Sequence, residues 1–203
     1  MDLILSADTP DNGGDFPLDA EALAAATFAG SSLERVYLSE LALADARSRF
    51  LQSMTGGTRF VNWLGHGGTD RLSRAGLLTS ADVPSLTISN DHLALLVAAS
   101  CVINRFEIPG YDSLGEVLVL KPNGGAIAVL APSALAYNTE SRSIDQKVFT
   151  ALCSTTSPRL GDAVILALRG LVPPTTAPEN EVDARRIYTL LGDPGLKLQK
   201  KRP

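Results

Sequence analysis

Two short apolar runs constrain this chain more than any other feature. Phe60-Val61-Asn62-Trp63-Leu64 stops at Gly65-His66-Gly67-Gly68, and Leu93-Ala94-Leu95-Leu96-Val97-Ala98-Ala99 stops at Ser100-Cys101. Runs of this length, bounded by glycine or polar residues, must be covered on both faces and read as buried strands of a parallel sheet. In open parallel sheets the chemistry gathers just beyond the carboxyl ends of the strands. Two neighbouring strands that end this way set an imidazole beside a thiol. A cysteine nucleophile needs that pairing, because the thiolate attacks and a nearby base must generate it.

The rest of the chain alternates between the same two patterns. Leu3 to Ser6 and Arg35 to Leu38 read as strands, and Ala126 to Leu130 as a further buried one. Helices are expected at Leu18 to Ala29, Leu41 to Met54, Ser113 to Leu120, Glu140 to Leu152, Gly161 to Leu171 and Val182 to Leu191, with a short one near Ser80 to Val83. Gly56-Gly57 and Pro122-Asn123-Gly124-Gly125 supply stop signals. Val172 to Asn180 is a Pro- and Thr-containing loop. Alternation of this kind predicts an α/β layered fold, a mainly parallel sheet with helices on both faces. With 203 residues and no internal repeat, one domain over 1–203 is the simplest expectation. The chain enters a strand almost at once, as a domain excised from a longer protein would.

Composition removes several function classes. The formal charge is -4 and the 18 basic residues are scattered, apart from Lys197, Lys200, Lys201 and Arg202, so no nucleic-acid surface is expected. No apolar run reaches the roughly 18 residues of a membrane span, and no signal peptide is visible. Gly65-His66-Gly67-Gly68 lacks the Lys-Ser/Thr of a phosphate loop. Two isolated histidines and two distant cysteines make no zinc pattern and no disulfide framework. The acidic loop does offer hard oxygen ligands in Asp8, Asp11 and Asp15, with Asn12 beside them, so calcium is conceivable there. The spacing is not that of an EF-hand, and no cofactor is required by the chemistry below.

A lone cysteine that ends an apolar run is ordinarily a buried structural thiol. Here the glycines flanking His66 let a ligand approach the ring, and Ala98, Ala99 and Ser100 leave room around Cys101. In a thiol mechanism His66 is the base that later protonates the leaving amine, and Cys101 carries the thioester. The amides of Gly67 and Cys101 are the natural oxyanion donors. His92 precedes its strand and Cys153 follows a helical run, so both are taken as structural.

These residues resemble the gingipain-type cysteine peptidases (peptidase family C25), within the caspase-like clan. The likeness extends through Asp112-Ser113-Leu114-Gly115-Glu116, Gly124-Gly125-Ala126-Ile127-Ala128-Val129, Leu160-Gly161-Asp162-Ala163 and Tyr188-Thr189-Leu190-Leu191-Gly192-Asp193-Pro194, from about Leu3 to Leu198. It implies a caspase-like three-layer sandwich and a cysteine endopeptidase acting on protein or peptide substrates. It also implies an upstream acid that orients the histidine, matched by Asp8, and secretion or display at the cell surface. Family members that cut after Arg or Lys need a carboxylate at the base of the first subsite. Asp19 lies near that position, Asp15 is the second choice, and Tyr137 is placed to wall the subsite. Two other readings stay open: a catalytically silent caspase-like module that binds or scaffolds partners, and a different cysteine hydrolase or acyltransferase on a similar sheet. Oligomeric state is not legible in the sequence.

Overall fold

Among the described residues six strands make the central sheet, and helices cover both of its faces. The computed structural model describes residues 3–154, 159–171 and 179–197. In chain order the elements are β1 (Leu3–Ala7), α1 (Phe16–Thr27), β2 (Leu33–Tyr37), α2 (Leu43–Thr55) and β3 (Phe60–Leu64). A small antiparallel sheet follows, built from β4 (Gly67–Gly68), β5 (Arg71–Leu72) and β6 (Leu78–Thr79). Then come β7 (Ala94–Ala99), α3 (Leu114–Leu120), β8 (Ala126–Pro132), α4 (Asn138–Ser154), α5 (Leu160–Arg169), α6 (Glu179–Ile187) and β9 (Tyr188–Gly192). The main sheet runs β2-β1-β3-β7-β8-β9. Its first five strands are parallel and β9 is antiparallel to β8.

Strand alternation divides the core in two. Leu5, Leu64 and Val97 face a layer formed by α1, α4 and α5, where Phe28, Phe60 and Phe149 meet edge to face. Ile4, Trp63 and Leu96 face the other way, onto α2 and α3. Helices thus cover both faces of a mainly parallel sheet, which is the three-layer α/β sandwich expected. Helix α3 starts where the sequence says it should. Ser113 accepts from the Glu116 N–H, and the Glu116 carboxylate accepts the Ser113 N–H at 2.8 Å, a reciprocal cap.

Two expectations are corrected. The helix expected over Val182 to Leu191 ends at Ile187, and Tyr188–Gly192 is a strand. Tertiary pairing decides it: β8 would otherwise leave an open apolar edge, and Tyr188 drops its ring into the core with its hydroxyl donating to Ala98 O at 3.3 Å. The short helix expected near Ser80 is a single 3-10 turn at Val83–Ser85, preceded by the small sheet. The loop expected over Val172 to Asn180 falls almost wholly outside the described residues, as do Lys200, Lys201 and Arg202. Among the described residues no helix is long and apolar enough to cross a membrane.

Candidate active site

Register assembles the site. Ala7, Leu64 and Ala99 are cross-strand partners in β1, β3 and β7. The next residues, Asp8, Gly65-His66 and Ser100-Cys101, therefore leave the sheet side by side at its carboxyl edge. The ladder continues one step past the strands, with Asp8 N–H donating to Leu64 O at 2.9 Å and Gly65 N–H to Ala99 O at 3.2 Å.

His66 is fixed by both backbone and ring. Its N–H donates to Asp8 Oδ2 at 3.2 Å, while its carbonyl accepts from Trp63 Nε1 at 3.0 Å and from Ser73 N at 2.9 Å. The ring Nε2 lies 2.7 Å from Asp11 Oδ2, and Phe16 meets the ring edge-on with centroids 5.5 Å apart. Asp11 sits in a tight turn closed by paired bonds with Gly14, and the Gly13 N–H donates to its Oδ1 at 2.7 Å. The hydrogen bond from the His66 ring, helped by that N–H, holds the Asp11 carboxyl below the usual carboxylate range. An ionised acceptor at Nε2 selects the tautomer with its proton there and leaves Nδ1 unprotonated.

Asp8, the acid expected to orient the ring, makes a different contact. Its Oδ1 accepts from Thr9 N and from Ser73 Oγ at 3.1 Å, and its Oδ2 takes the His66 backbone N–H. The reason is positional. Asp8 shares a row with Gly65, so close that a Cβ at Gly65 would lie 2.5 Å from the Asp8 Cβ, and the ring is one residue further on.

Cys101 leaves β7 on a constrained turn. Its Sγ lies 3.4 Å from both the N–H and the carbonyl oxygen of Ala136. The next residue, Val102, has a φ of 47°, left-handed backbone that a β-branched side chain rarely adopts. The turn is over-determined by Val102 N–H to Ala134 O at 3.1 Å and by buried Asn104, whose amide reaches Thr189 O at 2.9 Å. Strain held in this way is typical of residues beside reacting groups. Gly67 lies directly against the turn. A Cβ there would sit 2.6 Å from Cys101 O and 2.7 Å from Ile103 Cδ1, and against Ser100 Oγ. Gly67→Ala is therefore expected to cost at least ~10-fold in kcat/KM, by pushing the Cys101 turn out of place. Steady-state kinetics beside a thermal melt would check it.

His66 and Cys101 line one cleft of about 300 Å³, with Gly13, Phe16, Tyr137 and Asn138 around them. Tyr137 stands at its rim, 71% exposed. The Ser100 hydroxyl, buried beside Cys101, has no hydrogen-bond partner among the described residues and also borders the cleft. Asp19, on α1, is buried behind Asn138. It accepts the Asn138 amide at 2.9 Å and pairs with the Arg142 guanidinium from α4. Asp15 is exposed and caps α1, accepting the Leu18 N–H at 3.2 Å. Asp8 and Asp11 are thus spent on the backbone and the ring of His66, and Asp15 on its helix cap. Among the described residues no group of three or more His, Cys, Asp or Glu side chains is placed to hold a metal ion. His92 packs against Gly57 at the far edge of the sheet, and Cys153 lies against the core near the end of α4.

Asp145 of α4 is fully buried, with Asn62 Nδ2 at 2.8 and 2.9 Å from its two oxygens. Burial pushes its carboxyl up to about 8, against the opposing pull of the Asn62 hydrogen bond. Asp11, Arg142, Asp145 and the Val102 turn were not singled out for these parts by sequence reasoning.

Residues 2–199 match the model of peptidase family C25. The chain belongs to this family. Solved structures agree on the fold of this C25 member. The Arg-specific cysteine proteinase gingipain R (RgpB) superposes with a TM-score of 0.78 at 19% identity, covering 97% of this chain and 46% of that one. The complex of Porphyromonas gingivalis RgpB pro- and mature domains gives 0.78 at 18% identity, with 96% and 48% covered. A further structure, described as a protease, gives 0.71 at 14% identity. The C25 chain spans less than half the length of these structures. No curated protein sequence matches it.

Proposed function

We propose that this chain is a cysteine endopeptidase that cleaves peptide bonds through Cys101 and His66. One observation carries the reading: both side chains border the same cleft at the carboxyl edge of the sheet, with the histidine locked on its far side. Nδ1 takes the Sγ proton, and the thiolate adds to the scissile carbonyl carbon. The resulting oxyanion meets backbone N–H groups. Ser73 N–H to His66 O marks the 66/73 pair as hydrogen-bonded, so alternation makes Gly67 opposite Leu72 a non-bonded pair whose N–H turns away from β5. That N–H and the one of Cys101 are the donors assigned to the oxyanion. Collapse breaks the C–N bond as the imidazolium protonates the departing amine, leaving a thioester on Cys101. Water, deprotonated by His66, then releases the acid and restores the thiol.

Asp11 enters this scheme as the residue that positions the ring, and Asp8 as the residue that positions the loop. Preference for Arg or Lys would need Asp19 with its charge unspent, and Asp19 is already paired.

The test is labelling and turnover in the full chain. A broad-specificity acyloxymethyl ketone should modify Cys101, as mapped by mass spectrometry, and a mixed peptide library should be cleaved. Both should vanish in Cys101→Ala and in His66→Ala. Turnover that survives Cys101→Ala would discard the mechanism, and simple thioesters hydrolysed without any peptide cleavage would move the protein to another class of cysteine hydrolase.

A further inference from the structure

A second pocket, of about 360 Å³, adjoins the cleft between α1 and α4 and shares Thr139 with it. Asn138 links the two, bordering the cleft while donating to Asp19 in the pocket. This space is thus the candidate subsite next to the Cys101 cleft.

Its charges are arranged against a basic guest. Asp19, with its side chain 9% exposed, is spent on Asn138 and on Arg142. Arg142 is 48% exposed and lines the pocket. A guanidinium has five N–H donors, and among the described residues Arg142 uses one, on Asp19. A second cation stands close by, since Lys147 Nζ donates to Ser143 Oγ at 2.9 Å and Ser143 lines the same pocket. The other acid of the pocket, Asp145, is fully buried, and burial shifts its carboxyl toward the neutral form. The buried charge is thus negative and matched, while the charge a guest meets is positive.

We propose that Arg142 determines the specificity of the first subsite, closing Asp19 to basic side chains and selecting peptides with Asp or Glu on the acyl side of the scissile bond. The proposal rests on the peptidase reading above. A guest carboxylate takes the unused N–H donors of Arg142 as charge-assisted hydrogen bonds, whereas a guest cation must first displace Arg142 from Asp19.

The experiment uses the full chain, fluorogenic peptides varied only at that position, and acyloxymethyl ketones carrying Asp or Arg there. Acidic residues should exceed Arg and Lys by roughly tenfold or more in kcat/KM, and the Asp probe should label Cys101 faster. Arg142→Gln should reverse the order by releasing Asp19, and Arg142→Lys should keep the acidic preference. Wild-type preference for a basic, amide or apolar residue overturns the proposal, as does an acidic preference that Arg142→Gln leaves unchanged. The wild-type result decides even if the Gln variant fails to fold. Cleavage after the wrong residue leaves the peptidase reading intact. Absence of both cleavage and Cys101 labelling with every peptide and probe removes that reading and the subsite with it.

Discussion

Asp11→Ala should lower kcat by roughly 10²-fold while changing KM little, because the lost contact orients the base without touching substrate. In the native protein the Asp11 carboxylate selects the tautomer of His66, and Phe16 packs against the ring. Without the acid, Nε2 has no fixed acceptor, and much of the population presents the wrong nitrogen or the wrong orientation to Cys101. Asp11→Asn should recover part of the loss, since its amide oxygen can still accept from Nε2. Asp8 gives the contrast. Its two oxygens hold the His66 and Thr9 N–H groups and the Ser73 hydroxyl, so Asp8→Ala should act mainly on stability, by about 1–3 kcal/mol. Steady-state kinetics with denaturant melts on both variants would separate the roles. Equal kcat losses with unchanged melts would return the orienting part to Asp8.

The second large effect concerns Asp145. Its carboxyl is pushed up to about 8 in the folded protein, against an ordinary value of 3.8. Between those values the folded protein keeps a proton that the unfolded chain has released. Stability must therefore fall as pH rises, by about 1.4 kcal/mol per unit for one proton, and level off above the folded value. Asp145→Asn is neutral at every pH and keeps a polar partner for Asn62, so this part of the slope should disappear. Denaturant unfolding of both proteins at about pH 5 and pH 7 measures it as a difference, which cancels every other titrating group. Parallel stability curves for the two proteins would mean that Asp145 is ionised in the fold.

The sequence announced the parts of the site that depend on periodicity. Phe60 to Leu64 and Ala94 to Ala99 have strand length and uninterrupted burial, so the residues that end them had to fall at one sheet edge. Ser113 was readable as a helix start because cap chemistry is local. The rest depends on contacts that no local pattern records. Asp11 reaches the ring because of a turn closed between Asp11 and Gly14, and a polar loop does not advertise its shape. Arg142 meets Asp19 across 123 residues of sequence. Residues 188–191 read locally as the end of a helix, and it is pairing with the edge of β8 that makes them a strand. The left-handed turn at Val102 runs against the preference of its own side chain, so only the surrounding bonds explain it.

The shared row of Ala7, Leu64 and Ala99 has a further consequence for how such a protein can change over time. Substitutions within the three strands leave the row in place so long as apolar positions stay apolar and Ser6 and Asn62 keep their hydrogen bonds. Loops between them can lengthen without moving Asp8, His66 or Cys101 relative to one another. A single inserted or deleted residue inside β1, β3 or β7 is another matter, for it shifts that strand by one and turns its departing side chain toward the opposite layer. Diversification of this domain should therefore be written in loop length and surface chemistry, with strand length kept constant.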